Sequence, residues 1–233
     1  MAKFRDDGRA GGKAENTIRL ELALIRHVFE IARKEWGMES LSNPVANIAL
    51  PKGSKPRDRR LSSIEFTYLT AALQNSSQPV SESITRFAIE TAMRQGEILD
   101  LEWDAIDFQK RTAFLSDTKN GESRCVPLST KAIETLQRLP RPVSGGKVFN
   151  LTQDCLIKVF ARSCKAGRKK FLEDCQNSGL SPSPGFLENI RFHDLRHEGT
   201  SQLFEKGLDM MEVASVSGHK SLVRLENSIK RKA

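Results

Sequence analysis

The chain's 233 residues are enough for one or two domains with a real core, and 37 Lys and Arg against 29 Asp and Glu give it a formal charge of +8 at pH 7. A balance this basic points to an anionic partner, either nucleic acid or an acidic membrane surface. No apolar run approaches the roughly 20 residues that a membrane-spanning helix needs, which excludes a span. Residues 1–12 are polar and glycine-rich and lack the apolar centre of an export signal. Cys125, Cys155, Cys164 and Cys175 show no CxxC spacing, so they read as reduced thiols of a cytoplasmic protein.

Residues 16–35 predict an amphipathic helix, with Ile18, Leu22, Ile25 and Phe29 at helical spacing and Asn16 or Thr17 as its cap. Beyond it, Asn43-Pro44 and Pro51 prevent any further helix before residue 52. The stretch 52–60 reads as a linker, with Lys52, Lys55, Arg57, Arg59 and Arg60 against Asp58. Such a strap is solvated, and its five cations also suit a duplex backbone. Ser62 and Glu65 then form a capping box, with Leu61 and Phe66 as the staple around it. A helix over 81–93 carries Ile84, Phe87, Ala88 and Ala92 on one face, and a short helical turn over 97–101 comes after Arg94-Gln95-Gly96.

Alternating runs at 105–108, 112–115 and 124–128 predict a small antiparallel sheet. Asn120-Gly121 supplies a type I′ hairpin signal, which puts Lys119 on the hairpin's rim. Helices are expected over 130–139 and 152–165, then an inserted loop over 165–187, basic at first and later rich in Ser, Pro and Gly. A helix over 193–206 ends at Gly207, and another runs from the Asp209–Glu212 cap to Gly218. The expected fold class is mainly α with a small antiparallel β-sheet, α+β in all.

His193, Arg196 and His197 share one helical face. A histidine pair at this spacing can hold zinc, but Ser201 stands where HExxH requires its second histidine. Arg196, a permanent cation, would repel the metal. An anion is the better guest, because guanidiniums and imidazoles gathered together are donors suited to phosphate.

Arg94-Gln95-Gly96-Glu97, Thr118-Lys119-Asn120-Gly121, His193-Asp194-Leu195-Arg196-His197 and Ser217-Gly218-His219 resemble, in order and spacing, the successive boxes of the tyrosine recombinase (phage integrase) family. Within it the likeness is to the DNA invertases that shuffle pilin gene segments, and it spans about residues 14–226. The resemblance implies a partial helical core-binding domain over 1–51, the basic linker over 52–60 and a catalytic domain over 61–233. It implies site-specific breakage and rejoining of double-stranded DNA, by a homo-oligomer, without metal or nucleotide cofactor and without a membrane.

By resemblance Arg94 and Arg196 clamp the scissile phosphate, and His193 and His219 add hydrogen bonds or help to move a proton. Lys119 protonates the leaving 5′ hydroxyl, and Glu97 braces the site. The family's nucleophilic tyrosine is expected nine residues after His219, where this chain has Ser228. Serine is shorter and far less acidic than a phenol. The sole tyrosine, Tyr68, lies in the first helix after the linker. Cleavage is therefore expected to fail. The alternative is a non-catalytic DNA-binding protein that occupies recombination sites or partners an intact recombinase. A helix-turn-helix regulator would explain the charge but not Lys119 on a hairpin.

Overall fold

The computed structural model describes residues 1–54, 59–116 and 123–219. The chain divides into two compact units, Met1–Pro56 and Arg57–Ala233.

In the first unit the sequence pattern predicts one helix, and the structure has two, α1 (Ala2–Ala10) and α2 (Glu15–Glu35). Gly8 lets α1 settle against Ile18. Arg9 pairs with Glu15 at 2.6 Å and Lys13 with Glu21 at 2.8 Å, exposed pairs that hold geometry more than they add stability. Helix α2 starts at Ala14 without a side-chain cap, so neither Asn16 nor Thr17 has the expected role. Its Ile18 and Leu22 meet Val45 in a small apolar cluster. Asn43 docks the turn around Pro44: its Oδ1 accepts from the Val45 amide at 3.1 Å, and its Nδ2 donates to the Arg26 carbonyl at 3.1 Å.

The second unit opens on the expected capping box. Ser62 Oγ accepts from the Glu65 amide at 3.2 Å, and the Glu65 carboxylate accepts from the Ser62 amide at 3.0 Å. Next come α3 (Ser63–Gln74), α4 (Val80–Thr91), α5 (Gln95–Leu99) and a 3₁₀ turn, Trp103–Ala105. Strands β1 (Ile106–Asp107), β2 (Thr112–Leu115) and β3 (Arg124–Pro127) form an antiparallel sheet in that order, with Ala113 opposite Val126 and Leu115 opposite Arg124. The expected hairpin turn at Asn120-Gly121 lies outside the described residues. The unit continues with α6 (Thr130–Gln137), α7 (Gln153–Asn177), α8 (Asp194–Glu205) and α9 (Met210–Ser217). The fold is mainly helical with one small antiparallel sheet. Phe87, Trp103, Phe149, Phe160 and Leu195 lie in its core, with the Phe87 and Phe149 rings 5.5 Å apart.

The loop expected from residue 165 is a helix as far as Asn177. Helix α7 continues because Phe171 finds a buried partner, stacking on Phe186 at 3.6 Å and meeting Tyr68 edge-on at 5.5 Å. On its outer side Lys170 pairs with Asp174 one turn on at 2.8 Å. Only the Ser, Pro and Gly-rich remainder, after Ser178, is irregular.

Helix α8 crosses α4 closely. Gly199 faces the Ile89 carbonyl so nearly that an added Cβ would collide with it. This approach brings Arg196, one turn earlier on α8, to the end of α4.

Candidate functional site

Helix α4 ends at Ala92, whose φ of 50° is left-handed, a conformation that costs an L-residue roughly 1–2 kcal/mol. The reversal presents the Ala92 carbonyl to Arg196 Nη1, which donates to it at 2.8 Å. It also makes Arg94 the N-cap of α5. Glu97, three residues on, accepts from the Arg94 amide at 2.8 Å and from its Nη1 at 2.6 Å. Arg94 Nη2 donates to the Gly218 carbonyl at 2.8 Å, at the left-handed C-cap of α9. The next residue, His219, lies 3.4 Å by Nδ1 from Arg196 Nη2, and its Nδ1 is 2.6 Å from Ser217 Oγ. Arg94, Arg196 and His219, far apart in sequence, are thus brought together.

His193 is the N-cap of α8, and its ring meets that of His197 edge-on at 5.2 Å. The shared face expected of His193, Arg196 and His197 therefore splits. The two imidazoles face each other, while the guanidinium turns inward to Ala92 and His219. His193 borders an open cleft of about 950 Å³ whose wall includes Arg94, Gln95, Phe114 and Gln153.

Arg124 completes the site and was not singled out by sequence pattern. From β3 it donates through Nη1 and Nη2 to the two oxygens of Glu97, at 3.0 and 2.8 Å. Glu97 is thereby gripped by two arginines. Burial pushes its carboxyl up, but Arg124 and Arg94 outweigh this and hold it below the usual carboxylate range. A signal for Arg124 exists in the sheet register. It stands opposite buried Leu115, hence on the core side of the sheet, where a cation needs a counter-charge.

Arg196 differs from these. It is 5% exposed, and among the described residues no carboxylate lies within ion-pair distance of it. Burial, then Arg94, lower its pKa to about 10, so it stays a cation at neutral pH. Burial also depresses His219, to about 4, with Arg196, Arg94, His197 and His193 acting in the same sense. His193 is lowered more gently, by desolvation and then by Arg196. The centre is a concentration of positive charge awaiting an anion.

The other expected site residues fall elsewhere. Lys119, Ser228, Lys55 and Arg57 lie outside the described residues. Lys52 is exposed in the first unit. Arg59 and Arg60 change most from expectation, because they do not hang from a solvated strap. Arg59 pairs with buried Glu65 and donates to the Glu188 carbonyl at 3.1 Å. Arg60 grips buried Glu198 through two nitrogens, at 3.0 and 2.8 Å, and reaches Glu205 at 2.9 Å. The physical reason is local: each finds a carboxylate that burial has deprived of water. Tyr68 is occupied as well, its hydroxyl donating to Asp174 Oδ2 at 3.0 Å, which raises its pKa.

Residues 59–227 match the family model described as the phage integrase family. The chain belongs to the phage integrase (tyrosine recombinase) family. It is 41% identical over 212 residues to a shufflon-specific DNA recombinase of Escherichia coli, covering 91% of this chain and 50% of that protein. To a putative integrase/recombinase of Haemophilus influenzae it is 34% identical over 217 residues, covering 91% and 65%. The chain therefore spans about half to two-thirds of the length of these curated relatives. Its fold is similar to that of a lambda integrase dimer bound to a COC′ core site, with a TM-score of 0.75 and 22% identity, over 99% of this chain and 79% of that one. No helix among the described residues is long and apolar enough to cross a membrane.

Proposed function

We propose that this chain is the phosphate-gripping part of a site-specific DNA recombinase whose substrate is duplex DNA. One observation carries the reading. Arg196 is a buried cation without a carboxylate partner, set beside Arg94 and His219. A buried charge of this kind is tolerated when a counter-ion completes it, and a phosphodiester supplies one. In this reading Arg94 and Arg196 bind the two non-bridging oxygens, offering planar forks that match the phosphate. Glu97 and Arg124 hold the first fork in place, and the Ala92 carbonyl holds the second. His193 and His219 border the same phosphate. Lys119 delivers a proton to the leaving 5′ hydroxyl, its pKa lowered by the surrounding cations.

Residues 1–51 serve as part of a core-binding domain, 52–60 as a linker and 61–233 as the catalytic domain. The protein acts in the cytoplasm as a homo-oligomer on DNA. Lys52, Lys55 and Arg57 contact backbone phosphates, while Arg59 and Arg60 first clasp the linker's end to the catalytic domain. Strand cleavage is defective, because Ser228 occupies the tyrosine position and Tyr68 is committed to Asp174. The second reading, a non-catalytic DNA-binding protein, draws on that same pairing of Tyr68.

A nicked suicide duplex tests both parts. Binding is expected to weaken steeply as salt rises, with no covalent protein–DNA adduct. A salt-insensitive affinity overturns the DNA reading, and an adduct through Ser228 overturns the cleavage defect.

A further inference from the structure

Ser217 is fully buried, and its hydroxyl lies 2.6 Å from the Val213 carbonyl one turn earlier in α9 and 2.6 Å from His219 Nδ1. A serine hydroxyl has one proton. A carbonyl oxygen has none, so at this separation from Val213 the proton must lie between those two oxygens. Were it turned towards the imidazole, two oxygen lone pairs would face each other, out of reach of water. Ser217 Oγ is thus left as an acceptor, and Nδ1 must donate to it.

We propose that Ser217 is a positioning residue that fixes resting His219 as the Nδ1–H tautomer, leaving the Nε2 lone pair to accept from the Arg196 guanidinium. Arg196 Nη2 stands 3.5 Å from Nε2. Without such a partner a neutral imidazole favours the proton on Nε2. Burial, with the charges of Arg196 and Arg94 and the neighbouring His197 and His193, keeps the ring neutral. Arg124, against Gly218, adds a third cation close by.

The consequence for DNA rests on the proposed function. A phosphate oxygen arriving at Nε2 meets a lone pair, so His219 donates to it only after taking a proton from solvent. The tautomer itself does not depend on that reading.

Nitrogen NMR of the isotope-labelled full chain at neutral pH tests it. The chain has four histidines, and His219 is assigned by the signal lost in His219→Gln. The expected pattern is a pyrrole-type Nδ1 and a pyridine-type Nε2. In Ser217→Ala the majority of the ring should switch to Nε2–H, and Ser217→Thr, which keeps the hydroxyl, should retain the wild-type pattern. A wild-type ring carrying its proton on Nε2, or an imidazolium, overturns the proposal, and so does a Ser217→Ala spectrum identical to wild type. If Ser217→Ala does not fold, the wild-type spectrum decides alone. Loss of DNA binding in a separate titration would sink the functional reading and leave the tautomer result standing.

Discussion

Arg196, with 5% exposure, is held by a carbonyl and an imidazole, and neither neutralises it. The neighbouring pair behaves differently: Arg94 has its counter-charge in Glu97, which Arg124 shares. Burial sets this division of labour, since the paired arginine is fixed in place and the unpaired one is left to seek an anion. His219 feels the same charge, and its folded pKa of about 4 lies below the ordinary histidine value near 6.5. The unfolded chain therefore binds the proton first. Stability should be complete above about pH 6.5 and fall as the pH drops towards 4, by on the order of 3 kcal/mol at most. Urea unfolding across that window checks this, and His219→Gln should flatten that part of the profile. An unchanged slope in the variant would mean that His219 is not held neutral by the fold. At this scale Arg94, Arg196 and His219 were legible because local boxes mark them. Arg124 was not, because its meaning lies in a cross-strand register and in a carboxylate 27 residues away.

The elements that deliver these side chains depend on a few close approaches. Helix α8 can bring Arg196 to Ala92 only because Gly199 has no Cβ to meet the Ile89 carbonyl. Gly199→Ala should lower stability by about 1–3 kcal/mol, the usual penalty of overpacking, and should weaken DNA binding by displacing Arg196. A urea midpoint equal to wild type would refute that packing account. Capping boxes at Ser62 and Asp209, the stop at Gly218 and the three strands were readable from sequence, since each is a local preference. The continuation of α7 was not. Its residues 165–177 look like a basic loop until Phe171 is seen stacked on Phe186, a pairing between distant segments. Helix α1 was missed for a related reason, as it has no buried residue of its own and leans on α2.

For the whole molecule, a net charge of +8 and a cationic centre lead to the same expectation, binding to a polyanion that salt disrupts. The chain spans half of its Escherichia coli relative, so the grip on DNA should be weaker than a full-length protein would give. The basic stretch 52–60, read from sequence as one solvated strap, divides in function at its end, where Arg59 and Arg60 are occupied by carboxylates. What sequence could not weigh is that burial sets the value of a charge, making Glu65 and Glu198 stronger partners than any exposed residue.

The most direct test of the central claim is the affinity of Arg196→Ala for a duplex recombination site, by fluorescence anisotropy at fixed salt, with Lys52→Ala as the exposed-cation control. Removing a charged hydrogen-bonding group should cost about 1.5–3 kcal/mol of binding, on the order of tenfold to a hundredfold, while Lys52→Ala changes affinity much less. Equal, small losses in the two variants would contradict the account, because Arg196 would then be a structural cation and not the grip on phosphate.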